Sequence, residues 1–245
     1  MSHPPKHLLP PGRLIAFEGI DGSGKRTQLE LLADALNTNS VGMYATGFPQ
    51  YDSWFGKMVG KFLNGELGAL ESVDPHFTAL LYAGDRFEAK PKLQEALDHG
   101  KIVLVDRYIG SNLAHQTARV AKEKRVEFLA WIRHLEYSIY DLPREDLVLY
   151  LRVPPSEAQR LVTQKTPRSY TNAKQDLLEA SLRHLQEAAA MYDALARETP
   201  WVTIECFDNQ RGTMRAPPDI AREVLASVQP LLATQVTSHP AAGGR

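Results

Sequence analysis

An α/β fold with a five-stranded parallel sheet flanked by helices is predicted by three observations. Short apolar runs alternate with longer helix-periodic stretches along the chain, the pattern of βα units joined by right-handed crossovers. The run Lys101–Tyr108 is β-branched and apolar up to a terminal charged pair, as in a central parallel strand covered on both faces. The first apolar run enters a helix through a glycine-rich turn. In such a sheet the functional residues gather beyond the carboxyl ends of the strands.

Taken in order, Leu14–Glu18 follows Pro11-Gly12 and reads as a buried strand entered from a turn. From Lys25 onward, Leu29, Leu32, Ala33 and Leu36 recur at helical spacing. Val41–Thr46 is a second strand, ended by Gly47-Phe48-Pro49 and followed by a helix over about 53–63. Asp74 as N-cap and Pro75 in the first turn open a helix to about Ala89, and Pro91 starts a separate helical turn ended by Gly100. After the third strand, Lys101–Tyr108, come helices over about 111–121 and 125–138. Leu147–Val153 and Trp201–Cys206 are the fourth and fifth strands. Between them stand a helix from Ser156, a polar segment and a long helix over about 175–197.

The 245 residues suit one large domain, read as residues 13–232, with residues 1–12 and 233–245 as poorly ordered tails. The 28 Lys and Arg against 29 Asp and Glu leave no basic excess for a nucleic-acid backbone, so no nucleic-acid partner is expected. Cys206 is the single cysteine, which excludes an intrachain disulfide and a cysteine zinc cluster and suggests a reducing compartment. The eight histidines lack metal-ligand spacing. No apolar run approaches the ~18 residues of a membrane helix, and the first residues lack the apolar centre of a signal peptide. A cytoplasmic protein without membrane attachment is expected.

Phe17–Gln28, FEGIDGSGKRTQ, carries GxxxxGK between a strand and a helix, which makes this a P-loop NTPase fold. Gly19, Gly22 and Gly24 let backbone N–H groups turn toward an anion, with Asp21 and Ser23 between them. Lys25 reaches the terminal phosphates. A Ser or Thr after the lysine would bind Mg²⁺, but Arg26 stands there, and Thr27 lies about 100° further round the helix. The metal is therefore expected on Asp21 and Asp106, through waters, because Mg²⁺ dehydrates reluctantly.

Four further stretches follow the loop: GFPQY at Gly47–Tyr51, LYAGDR at Leu81–Arg86, DRYIGSN at Asp106–Asn112, and Arg168-Ser169-Tyr170. Together and in this order they resemble the thymidylate kinase family over about 13–197. The resemblance implies transfer of phosphate from ATP to dTMP, with Mg²⁺, in a homodimer whose contacts are sought on helices near Phe77 and Phe128. It implies that Asp106 positions metal and acceptor phosphate and that Arg107 grips that phosphate. It also implies a lid over about 163–175, with Lys165 and Arg168 closing over the donor and Tyr170 near the acceptor.

Tyr82 and Arg86, four apart on one helix, share a face that could stack on a base and read its carbonyl, and the family holds thymine there. Asn112 is a candidate for the base edge, Ser111 and Gln116 for further polar contacts, and Phe48 and Tyr51 for the wall beside sugar and phosphate. His115 stands where many members carry Tyr or Phe, and Gln50 lies where many carry a basic residue. Two alternatives follow from these departures and from Arg26: a kinase for another nucleoside monophosphate, and a nucleotide-binding regulatory protein without turnover.

Overall fold

The computed structural model describes residues 11–38, 41–163 and 181–236. Five strands, β1 (Arg13–Glu18), β2 (Met43–Gly47), β3 (Ile102–Asp106), β4 (Leu147–Arg152) and β5 (Trp201–Glu205), form one sheet in the order β2-β3-β1-β4-β5. Every pairing is parallel, as the sequence predicts. From β1 the chain first builds toward β3 and β2, then returns to add β4 and β5 on the other side. The loop after β1 therefore lies at the switch point where such sheets open a crevice. The register aligns Asp106 with both Phe17 and Gly47, so three strand ends finish at one level.

Leu14–Phe17, Ile102–Val105, Leu149 and Leu151 are fully buried and make the centre of the core. Helices α1 (Lys25–Thr38), α2 (Trp54–Leu63), α3 (Pro75–Asp98), α4 (Ile109–Thr117), α5 (Arg125–His134), α6 (Pro155–Thr163), α7 (Leu182–Leu195) and α8 (Pro217–Val236) flank the sheet. Ser53, Asp74 and Ser181 cap α2, α3 and α7 through their side chains.

Several predicted boundaries differ. The break between Ala89 and Pro91 does not occur, and α3 runs on through Pro91. Pro91 is exposed, so the carbonyl it leaves without an N–H partner faces water, while Ala89, Leu93 and Ala96 keep the helix on the core. Helix α4 ends at Thr117, and a 3₁₀ turn at Lys122–Lys124 leads into α5, which continues as a π turn over Leu135–Ile139. Phe128 is buried against Trp131 and His76, so it cannot serve as a surface contact. Helix α8 was not anticipated. It covers α1 through buried Ile220, Val224 and Val228, and its backbone runs into the span read as a C-terminal tail. A two-stranded hairpin, β6 (Phe207–Asp208) with β7 (Thr213–Met214), was also unread. The rest of both tails and most of the predicted lid lie outside the described residues.

Candidate active site

After Glu18 the chain turns through Gly19, Gly22 and Gly24, with φ of 141°, 86° and 88°. At Gly22 a Cβ would stand 2.4 Å from the Ala158 carbonyl oxygen, so α6 as well as the backbone requires glycine there. Nothing lies within 4 Å of the position a Cβ would take on Gly24. The loop thus opens onto free space at the N-terminus of α1, whose first turn carries no acidic residue to compete for an anion.

Lys25 is buried and folds back over its own loop. Its Nζ donates to the carbonyl oxygens of Gly19 at 3.0 Å and Ile20 at 2.9 Å, and to Ser23 Oγ at 3.4 Å. Burial, then the charge of Arg107, push its pKa down to about 8. Arg26 and Thr27 face outward. Arg26 Nε lies 2.9 Å from Glu30 Oε1 in an exposed pair along α1, so its charge sits on the helix surface rather than over the loop.

Arg107 has φ 66°, a left-handed conformation that a non-glycine residue keeps only when its surroundings impose it. Its N–H bonds the Phe17 carbonyl at 3.0 Å, which carries the side chain across the end of β1. Nη2 donates to Asp21 Oδ1 at 2.7 Å, and Nη1 to Ser111 Oγ at 3.1 Å and the Gly19 carbonyl at 3.3 Å. Burial opposes the guanidinium charge, but Asp21 and then other anionic neighbours raise its pKa well above the usual value. Arg107 therefore pairs with Asp21 and not with adjacent Asp106. The Asp106 Oδ1 is buried and has no hydrogen-bond partner among the described residues.

Glu18 is fully buried and was not singled out from the sequence. Its Oε1 accepts from the N–H groups of Tyr108 at 2.8 Å and Ser111 at 3.0 Å, capping α4 from the neighbouring strand. Its Oε2 takes the hydroxyls of Ser111 at 2.6 Å and Tyr192 at 3.1 Å. The signal was an acidic residue ending an otherwise apolar strand, whose buried charge requires donors.

On the other side of Arg107, α3, α4 and the π turn meet. Arg86 is only 1% exposed and gives Nε, at 2.8 Å, and Nη2 to the Glu136 carboxylate. On the helix face that Tyr82 and Arg86 share, Tyr82 is half-buried, and Arg86 lies inside with a partner 50 residues away. Asn112 Nδ2 donates to Glu136 Oε1 at 2.7 Å and to the Ala79 carbonyl at 3.1 Å. Two acceptors fix the orientation of this amide, and its buried Oδ1 has no partner among the described residues.

Gln116 is held by two neighbours. Its Oε1 accepts from Thr78 Oγ1 and Arg119 Nη1, both at 2.8 Å. Phe48 is buried in the main core with its ring 6.1 Å from that of Tyr108, while Tyr51 is half-buried against Gly60. Gln50 bonds Thr46 Oγ1 at 3.0 Å through its side chain and Asp85 at 2.9 Å through its N–H. His115 is buried beside Arg107, its Nε2 3.4 Å from Nη1. Lys165, Arg168 and Tyr170 lie outside the described residues. No group of three or more His, Cys, Asp and Glu side chains among the described residues could hold a metal ion by itself.

Residues 17–211 match the family model described as Thymidylate kinase. Over 213 residues the chain is 30% identical to the thymidylate kinase of Mycobacterium tuberculosis, covering 84% of this chain and 99% of that protein. With a probable thymidylate kinase of Pyrobaculum aerophilum it shares 37% identity over 153 residues, 62% of this chain and 70% of the other. Among solved structures, thymidylate kinase from Candida albicans superposes with a TM-score of 0.67 at 19% identity, covering 89% and 92% of the two chains. At that identity the likeness speaks for the fold alone.

Proposed function

The chain belongs to the thymidylate kinase family, and on that premise we propose that it phosphorylates dTMP to dTDP with ATP through the residues gathered around Arg107. One observation carries this reading. Two buried oxygens without partners among the described residues flank that arginine in sequence, Asp106 Oδ1 before it and Asn112 Oδ1 after it. A buried acceptor left without a donor costs about 1–3 kcal/mol, so each is suited to a donor or cation brought by a ligand.

For the base, Asn112 Oδ1 accepts the N3–H of thymine, and Arg86, with Nε and Nη2 held by Glu136, has Nη1 left for a base carbonyl. Cytosine has no proton at N3 and fails this pattern. Tyr82 stacks on the ring, with Ser111, His115, Gln116, Phe48, Tyr51 and Tyr170 around the acceptor. Arg107 turns from Asp21 to the acceptor phosphate. The loop N–H groups from Gly19 to Thr27 hold the donor, and Lys25 moves from the Gly19 and Ile20 carbonyls onto its terminal phosphates.

Asp106, through its unpartnered Oδ1, and Asp21 are the residues that would hold Mg²⁺, completed by waters and phosphate oxygens. When bound, the ion neutralises charge on the phosphates. An oxygen of the dTMP phosphate attacks the γ-phosphorus, its bond to the β–γ bridging oxygen breaks, and ADP leaves with that electron pair. Lys25, Arg107 and Arg168 are the cations that hold the transferred group, and no covalent enzyme intermediate is needed.

The exposed Phe77, Leu80 and Phe87 on α3 are the favoured contacts of a homodimer. No described helix is long and apolar enough to cross a membrane, and a cytoplasmic location remains part of the proposal. The test is ADP release from ATP and Mg²⁺ with dTMP, dUMP, UMP, CMP and AMP. A kcat/KM for dTMP well above the rest is expected; equal rates or no turnover would overturn the assignment.

A further inference from the structure

Helix α7 starts immediately after the span that carries the predicted lid, and its first turn holds a buried histidine with no assigned role. His184 Nε2 lies 3.2 Å from His115 Nδ1, with the rings 5.4 Å apart, and His115 Nε2 lies 3.4 Å from Arg107 Nη1. A guanidinium can only donate, which orders the whole chain. His115 Nε2 faces Nη1 as a third acceptor beside Ser111 Oγ and the Gly19 carbonyl; an N–H there would oppose the guanidinium protons, so the ring's proton is placed on Nδ1. That proton is donated to His184 Nε2, and His184 keeps its own on Nδ1.

The order requires both rings to be neutral. Burial, then Arg107 and His184, hold the His115 pKa well below the ordinary value, against a weaker pull from Asp21. Burial and then Arg119 push His184 down to about 4. The Tyr192 ring meets His115 edge-on, with its hydroxyl bonded to Glu18 and Ser111.

We propose that His184 is a positioning residue for phosphoryl transfer: by accepting from His115 Nδ1 it fixes the tautomer and rotamer of His115, and through them the guanidinium of Arg107 at the acceptor phosphate. This rests on the reading of Arg107 given under the proposed function. It also ties the N-terminus of α7 to the acceptor side of the cleft. An ordinary core histidine would need only to fill its space.

Three variants of the full-length protein separate these roles. His184→Leu keeps the bulk but removes the acceptor, and is expected to lower kcat/KM for dTMP about tenfold while KM for ATP stays within about twofold. His184→Gln restores an acceptor near the Nε2 position and is expected to recover most of that loss. In a His115→Phe background, His184→Leu should add little, because its route to Arg107 is already cut. Equal losses for Leu and Gln, an unchanged kcat/KM for dTMP in the Leu variant, or full additivity would overturn the proposal.

Should His184→Leu fail to fold, nitrogen NMR of the unaltered, histidine-labelled protein decides without turnover. A proton on Nδ1 of both rings is expected, and a proton on His115 Nε2 would overturn the order. Because that spectrum needs no substrate, a wrong acceptor assignment would leave it intact. The two failures are therefore distinguishable.

Discussion

The proposed donor and acceptor halves of the cleft are held by opposite kinds of contact. Around the donor loop, Lys25 bonds partners two to six residues away. Around the acceptor pocket, Arg86 reaches Glu136 across 50 residues, Asn112 reaches it across 24, and Thr78 reaches Gln116 across 38. The donor half is thus a local device carried by one strand–loop–helix junction. The acceptor half exists only once three helical elements have packed. Charge follows the same division: both cations are buried, but the loop's bonds two backbone carbonyls and a hydroxyl, whereas the pocket's is paired with one carboxylate.

Substitutions can break this contrast, and the largest effect is expected in the loop. Lys25→Ala should lower turnover about 10³-fold, roughly 4 kcal/mol of transition-state stabilisation, while the melting temperature moves by only a few degrees. Turnover within tenfold of the parent would remove Lys25 from the reaction. Glu136→Ala should act the other way round. Removing one partner of a buried ion pair costs about 3–5 kcal/mol, so the melting temperature should fall by about 10 °C. The double change Arg86→Met with Glu136→Leu should recover most of that stability while binding of dTMP stays weak. A single variant that melts like the parent would mean that Arg86 finds water or another anion.

A smaller effect is expected from pH. In the free protein Lys25 carries its proton below about pH 8 and loses it above. The loop's cation is therefore present on the acid side, and kcat/KM for ATP should be level there and decline by up to about tenfold per unit on the alkaline side. A profile that stays level to pH 9.5 would contradict the lowered pKa. The smallest effect is expected at Arg26, whose pair with Glu30 is exposed. Arg26→Ala should keep kcat within about twofold, and a loss beyond tenfold would mean that the side chain leaves Glu30 for the phosphates.

The same division explains how much was legible. All five strands, the glycine-rich loop and the left-handed backbone at Gly22 and Gly24 could be read, because each rests on a run of neighbours. Helix α8 was missed because its two prolines, Pro217 and Pro218, and a third at Pro230 obscure a helical pattern that packing on α1 stabilises. At Pro91 the helix continues where its sequence suggests a break, since an exposed helix face tolerates one lost hydrogen bond. Tyr82 and Arg86 were correctly placed on one helix, yet nothing local to LYAGDR names Glu136. Glu18 stood inside the quoted motif, but its role depends on Ser111 and Tyr192.

By itself the sequence determined the α/β class, the parallel sheet, the glycine-rich loop between strand and helix, and the family. Those properties follow from side-chain periodicity and from backbone freedom at single residues, which act over a few neighbours. Only the tertiary structure decided which acid holds which base. Arg107 could have paired with Asp106 beside it but pairs with Asp21, leaving the Asp106 Oδ1 without a partner among the described residues. Buried charges and amides take whichever partner the packed elements bring within hydrogen-bond reach, and that distance is set by the sheet order and not by separation along the chain.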